Sequence, residues 1–201
     1  HKEYRRQRQM CIRDRLKQIG VPFEVLMLRN DSRRGADVDE TPLPDESPGA
    51  YALRIARDKA SAGMQQMAQR SLPQRLILSA DTTVVLDDLI IGKPEDAEDA
   101  YRILASLSGR EHRVITVVAA AHRGEVDTRM SMSTVWFRAL ADAEIRRYVA
   151  TGEPMDKAGA YGIQGRAASF VTRIDGSYSG IVGLPLAETC ELLQRFGISI
   201  W

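Results

Sequence analysis

Residues 75–94, RLILSADTTVVLDDLIIGKP, carry the reading of the whole chain. RLILSA is a short apolar run ending in small residues, which predicts a buried strand over residues 75–80. Residues 82–86 and 89–91 are rich in β-branched side chains, and Asp87-Asp88 between them predicts a hairpin. Gly92-Lys93-Pro94 reads as a turn. This arrangement places Asp81 at the end of a buried strand. Ligands gather at strand ends in α/β sheets, so Asp81 is a candidate functional carboxylate. The alternative is a structural Asp that fixes the turn between two strands.

Downstream, Pro94 is expected to open a helix with Glu95 and Asp96 in its first turn. Ala97, Tyr101, Leu104 and Leu107 follow at helical spacing, and Gly109 stops it. Two long strands are predicted over 112–121 and 126–137, joined by the turn at His122-Arg123-Gly124-Glu125. A helix over 142–150 ends at Gly152, residues 153–165 are Gly-rich and irregular, and 169–174 reads as a strand. A last helix runs from Pro185 to about Arg195, with Gly197 as its stop. Upstream, Leu16–Ile19 reads as a helix end with Gly20 as its stop, and 21–28 (VPFEVLML) as a strand. Residues 39–48, DETPLPDESP, form an acidic, Pro-rich surface loop. Ser47 is a helix cap with Pro48 in the first turn, and that helix runs to about Met67 with Tyr51, Leu53, Ile55 and Ala56 as core candidates. Alternating strands and helices with hairpins among them predict an α/β fold, a mixed twisted sheet with flanking helices.

A chain of 201 residues suits one domain and can bury a core without disulfides. The balance of 28 basic and 27 acidic residues leaves no whole-protein footprint for nucleic acid. No apolar run reaches the length of about 18 residues that a membrane helix needs, so no membrane partner is expected. Cys11 and Cys190 are far apart in sequence, which suits a reducing, cytoplasmic setting. The three histidines make no zinc-type spacing with them.

Other groups with chemical potential lie beside loops. Lys59, Lys93 and Lys157 could each offset phosphate charge as point cations, or be ordinary surface lysines. Asp39-Glu40 offers hard oxygen donors for a divalent ion, or is a solvated acidic loop. In residues 156–165, DKAGAYGIQG, small residues let the backbone approach a ligand closely. Gln164 can give both a donor and an acceptor to a base edge, and Tyr161 could pack beside a planar ring. The order GxxxxGK[ST] is absent, which excludes a P-loop enzyme.

These stretches together resemble the Maf family of nucleoside triphosphate pyrophosphatases. The resembling segments are DVDETPLPDESP, ALRIARDKA, LSADTTVVLDDLIIGKPEDAEDAYRILASLSGREH, YVATGEPMDKAGAYGIQG and IDGSYSGIVGLPLAET, in family order. They cover nearly everything from about Leu16 to Phe196. The resemblance implies a mixed α/β fold with two lobes around a central cleft, as in inosine triphosphatase-like proteins, and a homodimer. It implies hydrolysis of a nucleoside triphosphate between the α and β phosphates, with a divalent cofactor such as Mg²⁺ or Mn²⁺. Asp81 matches the family's proton acceptor, Glu40 an acidic metal-binding position, and Lys59 and Lys93 positions that offset phosphate charge. Thr82 and Gln164 match positions tied to base selection. ADT with DKAGAYGIQG looks like the branch acting on dTTP and UTP, limiting excess or non-standard nucleotides.

Residues 1–15 depart from the pattern: an atypical basic segment precedes a single domain over 16–201. The family opens with an apolar strand and Ser-Gly-Ser-Pro-Arg-Arg. Aligned back from Lys17–Gly20, this chain has Gln9, Met10, Cys11 and Ile12 where Ser, Pro, Arg and Arg are expected. Either activity has been lost with that loop, or residues 1 to about 15 are not the native start; the change of character near Leu16 points to the second, and residues 29–35 resemble a small insertion. Two other readings follow: a weakened nucleotide-binding regulator linked to cell division, and a pyrophosphatase for 7-methyl-GTP.

Overall fold

The computed structural model describes residues 12–28, 30–31 and 35–200. Gln9, Met10 and Cys11, on which the departure from the family pattern turns, lie outside the described residues, as does most of the segment 29–35. Residues 12–18 form helix α1, and Gly20 leaves it with φ +71° as expected of a stop. A two-residue ladder, β1 (Asn30–Asp31) with β2 (Gly35–Ala36), precedes the acidic loop. Helix α2 (Pro48–Gln69) starts where the capping signal puts it, with the Ser47 hydroxyl accepting from Ala50 N at 3.3 Å.

The core of the fold is a five-stranded sheet of order β4-β3-β5-β6-β7. It comprises β3 (Ile77–Leu86), β4 (Leu89–Ile91), β5 (Glu111–His122), β6 (Glu125–Phe137) and β7 (Val171–Asp175). Every ladder among the described residues is antiparallel, which narrows the mixed sheet of the sequence reading. Both tight hairpins have the backbone that sheet twist demands. Asp87 and Asp88 (φ +48° and +64°) join β3 to β4, and Arg123 and Gly124 (+49° and +87°) join β5 to β6.

β3 corrects the position of Asp81. The two predicted strands are one, and Asp81 sits mid-strand opposite Val117, with Thr82 opposite Thr116. The β-branched run from Thr82 to Val85 keeps the backbone extended beyond the acid, so Asp81 is not a turn residue.

α2 covers one face of the sheet. Its Ala52, Ala56 and Ala60 meet Val85, Ile115, Val117, Ala119 and Ala121, and the small side chains let helix and sheet approach closely. Of its predicted core residues, Ile55 and Ala56 are fully buried, whereas Tyr51 and Leu53 are half-buried. The other face carries α3 (Ala97–Leu107), α4 (Asp142–Val149), a five-residue helix α5 (Tyr178–Val182) and α6 (Leu186–Arg195). α5 has no counterpart in the sequence reading. α3 begins three residues later than Pro94 suggests, because Asp96 takes the cap position and accepts from Asp99 N at 2.7 Å. Ala97 is accordingly exposed, and Ala100 takes the buried place beside Leu104 and Leu107. β7 starts at Val171, after a 3₁₀ turn over Arg166–Phe170.

The strand predicted over 21–28 is not formed. The segment runs outside any ladder, with Val25 and Met27 exposed, and Pro22 lacks a backbone donor.

Candidate active site

Odd-numbered residues of β3 face α2, and there the structure gathers three predicted residues. Lys59 Nζ lies 2.7 Å from Asp81 Oδ1 and 2.8 Å from Glu40 Oε1. Asp81 is 6% exposed, while the Glu40 side chain is 42% exposed, so the ammonium links the interior to the surface. Two carboxylates against one ammonium leave a formal charge of −1. Thr83, next on the same face, holds its hydroxyl 3.4 Å from Asp81 Oδ2.

Glu40 reaches Lys59 because its loop is clamped to α2. Arg54 donates to both Glu46 carboxylate oxygens at 2.7 Å, to Thr41 O at 3.0 Å and to Asp39 O at 3.3 Å. The Tyr51 hydroxyl donates to the Glu40 carbonyl at 2.9 Å, and the Arg54 guanidinium lies over the Tyr51 ring. Asp39 closes a tight turn onto Thr41 N, and the hydrogen bonds from Thr41 hold its carboxyl below the ordinary range. The Arg54 hydrogen bonds do the same for Glu46. Burial, with help from Asp81 and Glu40, pushes the Tyr51 phenol up to about 12, so it stays a neutral donor.

Thr82 points to the opposite face. Its Oγ1 lies 3.0 Å from Thr116 Oγ1, and Thr116 donates to Gly180 O at 2.8 Å. On this face the loop containing Gln164 is seated against β3. Gly159 adopts φ +72°, donates its N–H to Gly92 O at 3.0 Å, and a Cβ there would stand 3.0 Å from Val84. Gly92 precedes the exposed Lys93, so the glycine-rich segment and the Lys93 turn are stitched together. Gln164 is exposed at the far end of that segment. Glu153 braces it: one oxygen accepts from the Tyr148 hydroxyl at 3.0 Å, the other from Arg166 N at 3.2 Å. Its carboxylate fills the place of a missing side chain, since a Cβ at Gly165 would lie 2.0 Å from Oε1.

Two other expectations change. Tyr161 is buried in the core with edge-on contacts to His112 and Phe137, its hydroxyl 2.8 Å from His112 Nε2, so it does not pack beside a ligand ring. Lys157 donates to Glu153 O and Asp156 Oδ1 at 2.8 and 2.7 Å, which ties it into its own loop. A separate cavity of about 690 Å³ lies at the β3–β4 turn, lined by Asp87, Asp88, Arg110 and Arg113, and contains none of the predicted site residues.

The charged cluster fits a hard divalent cation. It offers carboxylate oxygens and a surplus negative charge at a partly exposed position. Among the described residues no three His, Cys, Asp or Glu side chains are grouped to enclose an ion. A site of one or two carboxylates completed by phosphate oxygens is the arrangement that Mg²⁺ takes.

Arg54, Thr116 and Glu153 have no place in the sequence reading. For Arg54 the sequence holds a signal, an arginine on the helix that follows an acidic loop. The partners of Thr116 and Glu153 are made only by folding.

A family model described as Maf-like protein matches residues 13–196. A dTTP/UTP pyrophosphatase of Aromatoleum aromaticum is 58% identical over 92% of this chain and 90% of the relative. One of Nitrosomonas europaea is 53% identical over 94% of this chain and 91% of the relative. A third, of Chromobacterium violaceum, is 49% identical over 94% and 91%.

Proposed function

This chain belongs to the Maf-like protein family, and from that premise we propose that it hydrolyses dTTP and UTP to the monophosphate and pyrophosphate, limiting excess or non-standard nucleotides. The observation that carries the reading is Lys59 bridging a buried Asp81 and a surface Glu40. The names of the relatives support the substrates.

In this reading Asp81 accepts a proton from the water that attacks the α-phosphorus. The new bond is water oxygen to α-phosphorus; the bond from α-phosphorus to the α,β-bridging oxygen breaks, and its electron pair leaves with pyrophosphate. In the free protein Asp81 Oδ1 is occupied by Lys59. Incoming phosphate oxygens compete for that ammonium, which releases Oδ1 as a base and moves positive charge to where negative charge grows. Lys93 adds a second cation from the other side of β3. A divalent cation, Mg²⁺ or Mn²⁺, held by Glu40 and the phosphates would offset the remaining charge. Thr82 and Gln164 meet the base. The protein acts as a cytoplasmic homodimer.

The test is product analysis with dTTP, UTP and 7-methyl-GTP, with and without chelator, in ¹⁸O-labelled water. Pyrophosphate release with label in dTMP or UMP is expected. Orthophosphate as the first product would overturn the bond assignment, and a preference for 7-methyl-GTP would overturn the substrate.

A further inference from the structure

Thr116 carries a consequence for base choice that rests on the dTTP/UTP reading. A hydroxyl has one proton to donate and two lone pairs to accept with. Thr116 Oγ1 is placed to donate both to the Gly180 carbonyl at 2.8 Å and to Thr82 Oγ1 at 3.0 Å, more than its one proton can satisfy. The carbonyl can only accept, so the single Thr116 proton is committed to it. The contact between the two hydroxyls then requires Thr82 to donate its own proton to Thr116. What remains of Thr82 for a ligand is its lone pairs.

We infer that Thr116 is a specificity-determining positioning residue: by taking the Thr82 proton, it turns Thr82 into an obligate acceptor that selects a base presenting an N–H. Thymine and uracil carry N3–H. Cytosine carries a bare N3, which would face lone pair against lone pair.

The surroundings keep this polarity fixed. Thr116 is 1% exposed, so no water replaces the Gly180 carbonyl as its partner. The Thr82–Thr116 pair sits in register on neighbouring central strands. Thr82 itself is half-buried, and Gly183 leaves its hydroxyl uncovered, since a Cβ there would stand 3.5 Å from Thr82 Oγ1. Ser133, Ser177 and Ser179 complete a neutral, hydroxyl-rich wall around α5, with the Ser177 hydroxyl accepting from Gly180 N at 3.0 Å. That cap anchors the Gly180 N–H, and the Gly180 carbonyl is itself held by Gly183 N, which donates to it at 2.9 Å.

The experiment measures binding of α,β-imido-UTP, α,β-imido-CTP and the N3-methyl derivative of the former by calorimetry, alongside kcat/KM for UTP and CTP. Wild type should bind the uridine analogue at least about tenfold more tightly than either other ligand. Thr116→Ser keeps the donor chain and should keep the preference. Thr116→Val frees the Thr82 proton and should narrow the uridine-to-cytidine ratio by about tenfold, mainly through KM, in a protein whose melting is recorded in parallel. A wild type that binds N3-methyl and unmodified analogues equally overturns the inference without any variant. So does an unchanged ratio in folded Thr116→Val. Because the imido analogues report binding alone, a protein that discriminates them yet releases no pyrophosphate would overturn the proposed reaction and leave the selection by Thr116 standing.

Discussion

Asp81 and Thr82 are consecutive residues of one strand, and the two faces they enter follow different chemistry. On the α2 side, full charges meet at 2.7–2.8 Å and an arginine-clamped loop brings the third group in from the surface. On the α5 side, hydroxyls and peptide groups are joined by hydrogen bonds, with no full charge in the Thr82–Thr116–Gly180 chain. The difference teaches how a narrow site can divide its work. Charges interact over several ångströms and suit a phosphate chain; hydroxyl dipoles act only in contact and in one direction, which suits reading a base. The strand's alternation separates the two, so phosphate charge need not disturb the donor pattern.

The sharpest break in this comparison comes from Asp81→Asn. The amide is nearly isosteric but cannot take the proton, so turnover should fall about 10²–10⁴-fold. Nucleotide affinity and the preference for UTP over CTP should persist, because the opposite face is untouched. Single-turnover kinetics with both nucleotides checks this. Retained turnover would remove Asp81 from the chemistry, and a changed preference would show that the faces are coupled.

Next in size is a pH effect confined to the neutral side. His112 is 2% exposed on the face of β5 that carries Thr116. Tyr161 bonds its Nε2, while Nδ1 is buried without a partner. The nearby side chains Phe137 and Tyr161 offer no charge, and burial holds its pKa down from 6.5 to about 4. The folded state therefore keeps His112 neutral while the unfolded chain takes the proton first. Stability present above 6.5 is lost as pH falls toward about 4, by about 3 kcal/mol. Urea melts across that window should show wild type losing stability faster than His112→Gln. Parallel curves would mean that His112 does not titrate there.

Arg54→Met tests the clamp on the charged side. If Glu40 holds the proposed cation, loss of the group that orients its loop should weaken metal binding about 10-fold or more. Mn²⁺ binding in the presence of α,β-imido-UTP, followed by electron paramagnetic resonance, should weaken by about that factor, with the base preference unchanged. Unchanged Mn²⁺ affinity would show that the loop needs no clamp.

The sequence made much of this legible, and what it hid has a physical reason. Ser47-Pro48, Asp87-Asp88 and Gly109 punctuate elements through local backbone chemistry, and the structure follows each. Asp81 reads as the end of the run RLILSA; the register of Asp81 with Val117 and of Thr82 with Thr116, both on β5, carries one strand through it. Lys59 and Asp81 are 22 residues apart and Thr82 and Thr116 are 34 apart, so no local periodicity joins them. Resemblance to a family identified Asp81, Lys59, Glu40, Thr82, Lys93 and Gln164 as a set. It did not say that the first three share one contact while Thr82 turns its back on them. The segment 21–28 shows the converse, an apolar β-prone run that stays outside the sheet because composition does not supply a ladder partner.

The tight turn between β5 and β6 also bears on the order of folding. Twelve residue pairs are brought into register by two linking residues, Arg123 and Gly124, whereas β4 connects to β5 only through α3. Chain entropy makes the short closure cheaper, so the hairpin can form before β3 docks on it. The transition state for folding is then expected to hold β5 and β6 together with β3 still loose. Val126→Ala on β6 should slow folding in proportion to its destabilisation, while Ile77→Val at the start of β3 should mainly speed unfolding. Equal φ-values at the two positions would show that the sheet nucleates as a whole. If the hairpin leads, the pair of faces that Asp81 and Thr82 occupy is assembled late, onto a platform whose register is already set.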